Sequence, residues 1–203
     1  MVSAPSGTGK STILAEVLER VPDIRFAVSH ATRAARPGEG DGVDYHFVSR
    51  ERFEELIEED AFFEWADVHG DLKGTSKAEL ERAHADGMDL LLDLDVQGAL
   101  HVKEKMPDCV QIFILPPSFE ELEKRLRGRA QDPEKAIRRR LARAEGEIRH
   151  LGRYDYVVVN DDLDRSVETI VGIIRAARAR LGCVEHRTRE ILKSFTNPGS
   201  DKE

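Results

Sequence analysis

The chain has 203 residues and a formal net charge of −8, with 40% hydrophobic and 34% charged residues. That size fits one domain with insertions around a substantial core, and the acidic balance argues against broad non-specific nucleic-acid binding while leaving room for a local basic site. Cys109 and Cys183 lack metal-type spacing, no apolar run is long enough to span a bilayer, and nothing reads as a signal peptide, so a reducing cytoplasm is the expected location.

The first motif is "APSGTGKS", Ala4 to Ser11. It matches the phosphate-loop pattern Gly-x4-Gly-Lys-Ser/Thr at Gly9, Lys10 and Ser11, with Ala4 where the first glycine normally stands. Gly7 lets the backbone of Pro5, Ser6, Gly7, Thr8 and Gly9 curl into an anion nest, and Lys10 supplies a point charge for the β- and γ-phosphates. The Ser11 hydroxyl suits Mg²⁺, and the helix predicted over Ser11–Arg20 adds its positive N-terminal dipole. A plain glycine turn is the bland alternative. Only Met1 to Ser3 precede the loop, where a supporting strand should lie.

Downstream, "RFAVSH" (Arg25–His30), "MDLLLDLD" (Met88–Asp95), "CVQIFILPP" (Cys109–Pro117) and "DYVVVN" (Asp155–Asn160) read as buried parallel strands. Helical patterns alternate with them: a helix opened by Ser118 with Glu121 three residues on, one with Asp132 as N-cap and Pro133 in first position, and one over Ser166–Leu181. Strand–helix alternation predicts a three-layer α/β/α parallel-sheet core. Residues 33–87 break this rhythm with "RPGEGDG", short strands in "DYHFVS" and "FFEWADV", and a helix capped by Ser76, Glu79 and Gly87. The expected organisation is a core of 1–32 and 88–182, a small mixed insert over 33–87, an arginine-rich lid at about 126–140, and a charged C-terminal extension from 183 to 203.

Several side chains stand out. Arg33 and Arg36 share a loop with Tyr45 nearby, and two guanidiniums with a phenol can fork onto one phosphate monoester. On an alternating strand, Glu64 shares a face with Phe62 and Ala66, where it is either an ordinary solvent-facing acid or a buried acceptor. Asp93 and Asp95 sit at the C-terminal end of a buried strand, on one face if alternation holds, where ligands of α/β proteins bind. An acid there can serve Mg²⁺, as Asp93 is expected to do with Ser11, or merely cap the next helix, which stays a fair alternative for Asp93. Arg125 and Arg129 are one helical turn apart, and Arg138, Arg139 and Arg140 follow on the next helix.

Taken together, "VSHATRAARPGEGDGVDYHFVS", "FFEWADVHG", "LLLDLDVQGA", "IFILPPS" and "VVVNDDLD" resemble guanylate kinase, a P-loop nucleoside monophosphate kinase, over Val2 to about Leu181. The resemblance implies Mg²⁺-dependent transfer of the ATP γ-phosphoryl group to GMP, in purine metabolism. It implies Ser29, Arg33, Arg36 and Tyr45 at the GMP phosphate. It also implies Glu64 as acceptor for the guanine N1–H and N2–H₂, Thr75 near the base, and Asp95 beside the nucleotide. Adenine has an acceptor at N1 and no N2 amine, so a carboxylate at Glu64 would reject it. The same resemblance makes Arg125, Arg129 and Arg140 lid arginines that neutralise the transferring phosphoryl group, and puts Asn160 near adenine. Lys73 stands where the family usually has a phosphate-touching tyrosine, and lysine binds phosphate as a point charge instead. No general base is expected, because a phosphate monoester with a second pKa of about 6 is already largely ionised at neutral pH.

Two other functions fit parts of the pattern: a non-catalytic phosphopeptide-binding module, and a same-fold kinase of another phosphorylated acceptor. The intact loop argues against the first and the Glu64–Thr75 pair against the second. The partners expected are GMP and ATP, with no nucleic acid or membrane, in a monomer or homo-oligomer. The resemblance also implies a longer first strand than Met1–Ser3 supplies, so either a start site assigned too late or a stub strand pairing only beside the loop is expected.

Overall fold

The computed structural model describes residues 1–68, 70–128 and 133–196. In chain order it runs β1 (Val2–Ser3), α1 (Lys10–Arg20), β2 (Ile24–Phe26), β3 (His30–Ala31), β4 (His46–Phe47), α2 (Arg50–Glu58), β5 (Phe62–Val68), β6 (Asp71–Ser76) and α3 (Lys77–Ala85). It continues with β7 (Asp89–Leu91), α4 (Val96–Lys105), β8 (Ile112–Leu115), α5 (Phe119–Gly128), α6 (Glu134–Ile148), β9 (Tyr156–Val159), α7 (Leu163–Arg178) and α8 (Leu181–Thr196).

The expected parallel core is present. β2 pairs with β7, β1 with β8, and β8 with β9, all parallel. The two groups join at Val2, whose N–H donates to Leu92 O (2.9 Å) and whose carbonyl accepts from Leu94 N–H (3.2 Å). The spatial order is therefore β2-β7-β1-β8-β9, and the chain reverses direction across the sheet at β1. Two-residue β1 is bonded on both sides, because Ile112 N–H also donates to Met1 O at 3.0 Å.

Alternation along these strands sends side chains to two helical layers. On one face Val2, Leu91, Ile112, Ile114 and Val158 pack against Ile13, Leu14 and Val17 of α1 and Val167, Ile170 and Val171 of α7. On the other, Met1, Leu92 and Leu94 pack against Ala99 and Val102 of α4. A separate four-stranded sheet, β4-β3-β6-β5, carries its own small core of Phe53, Phe62 and Leu72, with the Phe53 and Phe62 rings stacked at 4.3 Å.

Local differences from the sequence reading have physical causes. "RFAVSH" is two strands, because the chain leaves β2 at Phe26 and joins the second sheet at His30. "DLKGTS" forms β6, the central partner of β3 and β5, although Gly74 and the polar residues around it give it no apolar signature. Residues 50–58 form a helix under Ser49, whose hydroxyl accepts from Arg52 N–H at 3.1 Å. α7 starts at Leu163 with Asp162 as N-cap, ahead of the expected Ser166. Ser76 caps α3 by position alone, without a side-chain bond. Pro133 precedes the first residue of α6, and Asp132 lies outside the described residues.

Candidate active site

Ala4 to Gly9 leave the C-terminal end of β1 and turn into α1, so the loop opens where the sheet order reverses, the usual ligand position in open α/β sheets. Gly7 (φ 95°) and Gly9 (φ 98°) occupy left-handed backbone that other residues rarely adopt. Gly9 is the N-cap of α1 and offers no side-chain cap, so the first-turn N–H groups stay available to an anion. Thr8 turns inward, fully buried, with its hydroxyl on Pro5 O at 2.7 Å.

Two braces hold the loop from behind. Asn160 Nδ2 donates to Thr8 O at 2.6 Å, and its Oδ1 accepts from Ser166 Oγ at 3.2 Å. Arg125 donates from Nη1 to Thr8 O (3.2 Å), from Nη2 to Asn160 O (3.1 Å) and from Nε to Glu121 (3.0 Å). Both residues line a second, open cleft behind the loop with Thr12, Asp161 and Leu163. In this structure Arg125 and the side-chain amide of Asn160 hydrogen-bond the loop backbone and line this second cleft. Arg129 lies outside the described residues.

A cleft of about 300 Å³ runs from the loop to the second sheet. Lys10, Ser11 and Asp93 line its floor, and Lys10 Nζ is ion-paired with Asp93 Oδ1. Arg140 reaches over the loop to Ser6 Oγ at 3.1 Å. Asp95 also lines the cleft, but it caps α4, its carboxylate accepting from Gly98 N–H at 2.9 Å. The capping role that the sequence offered to Asp93 thus falls to Asp95, because β7 has ended and the chain is already turning into α4. Glu147, which the sequence reading did not single out, enters the cleft from α6 two turns beyond Arg140. Burial pushes its carboxyl up, opposed by the charge of Lys10.

The far wall belongs to the second sheet. Phe62, Glu64 and Ala66 are all buried, so the alternation read from "FFEWA" holds, and Glu64 is only 5% exposed. Thr75 lies opposite it on β6 and gives Glu64 Oε1 both its backbone N–H (3.0 Å) and its hydroxyl (2.7 Å). Ser29 Oγ lies 3.1 Å from Thr75 Oγ1. Burial raises the Glu64 carboxyl above its ordinary value, and the Thr75 bonds oppose this.

Arg36, Tyr45 and Lys73 line the same cleft, with Lys73 Nζ 3.4 Å from Tyr45 Oη. Arg33 does not line it. Its two η nitrogens bind Glu39 at 2.6 and 2.7 Å, a pairing sequence reasoning missed, and this holds the Glu39 carboxyl down to about 2.

A phosphate loop, a cationic cluster and a buried carboxylate facing one cleft describe a phosphotransferase with two anionic ligands. The family model "Guanylate kinase" matches residues 1–177. The chain belongs to the guanylate kinase family. It is 52% identical over 189 residues to a guanylate kinase of Syntrophotalea carbinolica, covering 93% of this chain and 88% of the relative. It is 51% identical over 179 residues to a guanylate kinase of Shewanella violacea, covering 88% and 86%. The crystal structure of guanylate kinase from Anaplasma phagocytophilum superposes with a TM-score of 0.74 at 38% identity, covering 89% of this chain and 86% of that one. The guanylate kinase fold thus accounts for both the parallel core and the second sheet. Among the described residues no helix is long and apolar enough to cross a membrane.

Proposed function

We propose that the chain transfers the γ-phosphoryl group of ATP to GMP, giving ADP and GDP, as a nucleoside monophosphate kinase. The observation that carries this assignment is the buried Glu64 carboxylate, fixed by Thr75, in the same cleft as the phosphate loop. Residues 1–32 and 88–182 form the ATP-binding core, with the lid at 126–140. Residues 33–87 hold the acceptor, and 183–203 are an extension.

Guanine lies with N1–H and N2–H₂ on Glu64, flanked by Thr75 and Asp95. Its phosphate lies at the end formed by Ser29, Arg33, Arg36, Tyr45 and Lys73. The backbone from Ala4 to Ser11 cradles the ATP phosphates, and Lys10 leaves Asp93 to neutralise them. Arg140 balances charge on the transferring group, joined by Arg129 when the lid closes, while Arg125 and Asn160 keep the loop in shape. Catalysis is positioning plus charge neutralisation, since the attacking phosphate oxygen needs no base.

Ser11 and Asp93 are hard-oxygen donors in one cleft. Mg²⁺ generally takes one or two protein oxygens and draws the rest from phosphate and water, so the donor set fits. Bound there, Mg²⁺ supplies charge for the β- and γ-phosphate oxygens. Free Cys109 and Cys183 fit a reducing, cytoplasmic setting.

The phosphopeptide-module alternative is disfavoured by the complete loop, which such a module does not need. The test is a coupled assay of ADP release with ATP and Mg²⁺. Release that depends on added GMP supports the assignment, and GMP-independent or absent release refutes it.

A further inference from the structure

Glu147 is a carboxylate in the cleft that the reaction as described leaves without a task. Ile137, Leu141 and Ala144 bury one side of α6 against Leu122 and Leu126 of α5. Arg140 and Glu147 share the adjacent side, and both line the cleft. Glu147 is half-buried, and its carboxylate makes no hydrogen bond or ion pair among the described residues. Burial raises its pKa most strongly; the charges of Lys10 and Arg143 oppose this, and Asp95 adds to it. Lys10 is itself paired with Asp93.

A half-buried carboxylate with no donor in the protein costs free energy, and in a cleft for two phosphate esters it also repels the ligands. A donor brought by a ligand offsets both. Ionised phosphate groups carry none, and Glu64 takes the N1–H and N2–H₂ of guanine. The donors left on GMP are the 2′- and 3′-hydroxyls of its ribose.

The position of Glu147 agrees with this chemistry. Asp95 Oδ1 accepts from Gly98 N–H at 2.9 Å, and a Cβ added to Gly98 would lie 3.1 Å from Glu64 Oε2, so Asp95 marks the base end of the cleft. Lys10 marks the phosphate-loop end. Asp95 and Lys10 are the two charges from outside α6 that act on Glu147, so its carboxylate lies within reach of both ends. A sugar that joins base to phosphate spans the same interval.

We infer that Glu147 reads the sugar of the acceptor nucleotide, its carboxylate accepting from the ribose 2′,3′-diol of GMP. This rests on the GMP-acceptor assignment above. A carboxylate is an acceptor only, and its two oxygens can each take one hydroxyl of a cis-diol. One side of α6 thus carries a cation for the transferring phosphoryl group and an anion for the acceptor sugar. Glu147 makes the site selective for the ribonucleotide over its deoxy analogues.

The test is kcat/KM at saturating ATP and Mg²⁺ for GMP, 2′-deoxy-GMP and 3′-deoxy-GMP, in wild type, Glu147→Ala and Glu147→Gln, with melting temperatures as a folding control. Wild type should favour GMP over each deoxy analogue about tenfold, the loss of one hydrogen bond to a charged group. Glu147→Ala should lose at least about tenfold on GMP and much less on the analogues, bringing the preference close to one. Glu147→Gln, which keeps one acceptor oxygen without the charge, should fall between the two. Wild type with no preference for GMP over either analogue would overturn the inference without any variant. So would a folded Glu147→Ala that loses equally on all three nucleotides, which would assign the carboxylate to Lys10 or to Mg²⁺-bound water instead. Wild type inert toward all three would overturn the acceptor assignment itself, and the inference with it.

Discussion

Thr75 binds Glu64 twice through one oxygen, with its backbone N–H at 3.0 Å and its hydroxyl at 2.7 Å, both on Oε1. Oε2 faces Gly98, where an added Cβ would sit 3.1 Å away. The carboxylate is held by Thr75 on one oxygen, and a side chain at Gly98 would press on the other. Glu64→Gln replaces an acceptor with an amide donor, which meets either the Thr75 donors or those of guanine. The expected loss in kcat/KM for GMP is about a hundredfold, with the ATP KM little changed. Steady-state kinetics in each substrate checks this, and unchanged GMP kcat/KM removes Glu64 from base recognition.

Gly9 joins the phosphate loop to its brace. Its φ of 98° strains any side chain, and a Cβ there would lie 2.7 Å from Asn160 Nδ2, the atom that holds Thr8 O. Gly9→Ala should raise the ATP KM by at least about tenfold and lower the melting temperature. An ATP KM and Tm both equal to wild type would mean the loop does not depend on this geometry.

Arg140 reaches the loop from α6, through Ser6. Removing a cation that stabilises charge only in the transition state lowers kcat more than it raises KM. Arg140→Ala should cut kcat by about a thousandfold while the GMP KM moves only a few-fold. A pure KM effect would make Arg140 a ground-state binding residue.

The acid response should be dominated by the second sheet. The His30 and His46 rings lie 4.8 Å apart, tilted by 38°, and burial, with the charge of His46, lowers the His30 pKa to about 4. Between about pH 6.5 and pH 4 the unfolded chain therefore binds a proton that the folded protein does not, so stability falls as pH drops through that window. Glu39 acts lower: its depressed pKa contributes stability above about pH 4.5 that is lost as pH falls toward 2. Urea unfolding at pH 7 and pH 5 should show a smaller pH-dependent loss in His30→Phe than in wild type. Equal losses would exclude His30 as the titrating group.

Much of this was legible in the sequence because the signals are local. Buried parallel strands announce themselves as continuous apolar runs, as in "IFIL", and strict alternation in "FFEWA" places Glu64 inward. The loop glycines carry their geometry with them. What was hidden depends on contacts between distant segments. Asn160 meets Thr8 across 152 residues and Arg125 meets it across 117, so neither brace has a local signature. Arg33 and Arg36 look alike in "TRAARPGE", and only the folded loop shows that Glu39 neutralises one of them. Glu147 reveals itself solely by sharing a helical face with Arg140. Asp95 lines the cleft with Asp93, and only the folded backbone shows that it also caps α4.

The central claim is that a P-loop core and a guanine-reading sheet act on one cleft. ADP formation with ATP and Mg²⁺, measured against GMP, AMP, CMP and UMP as acceptors, tests it most directly. The account predicts rapid turnover with GMP and at least about a hundredfold lower kcat/KM with AMP. Comparable turnover on AMP, or none on GMP, would contradict it.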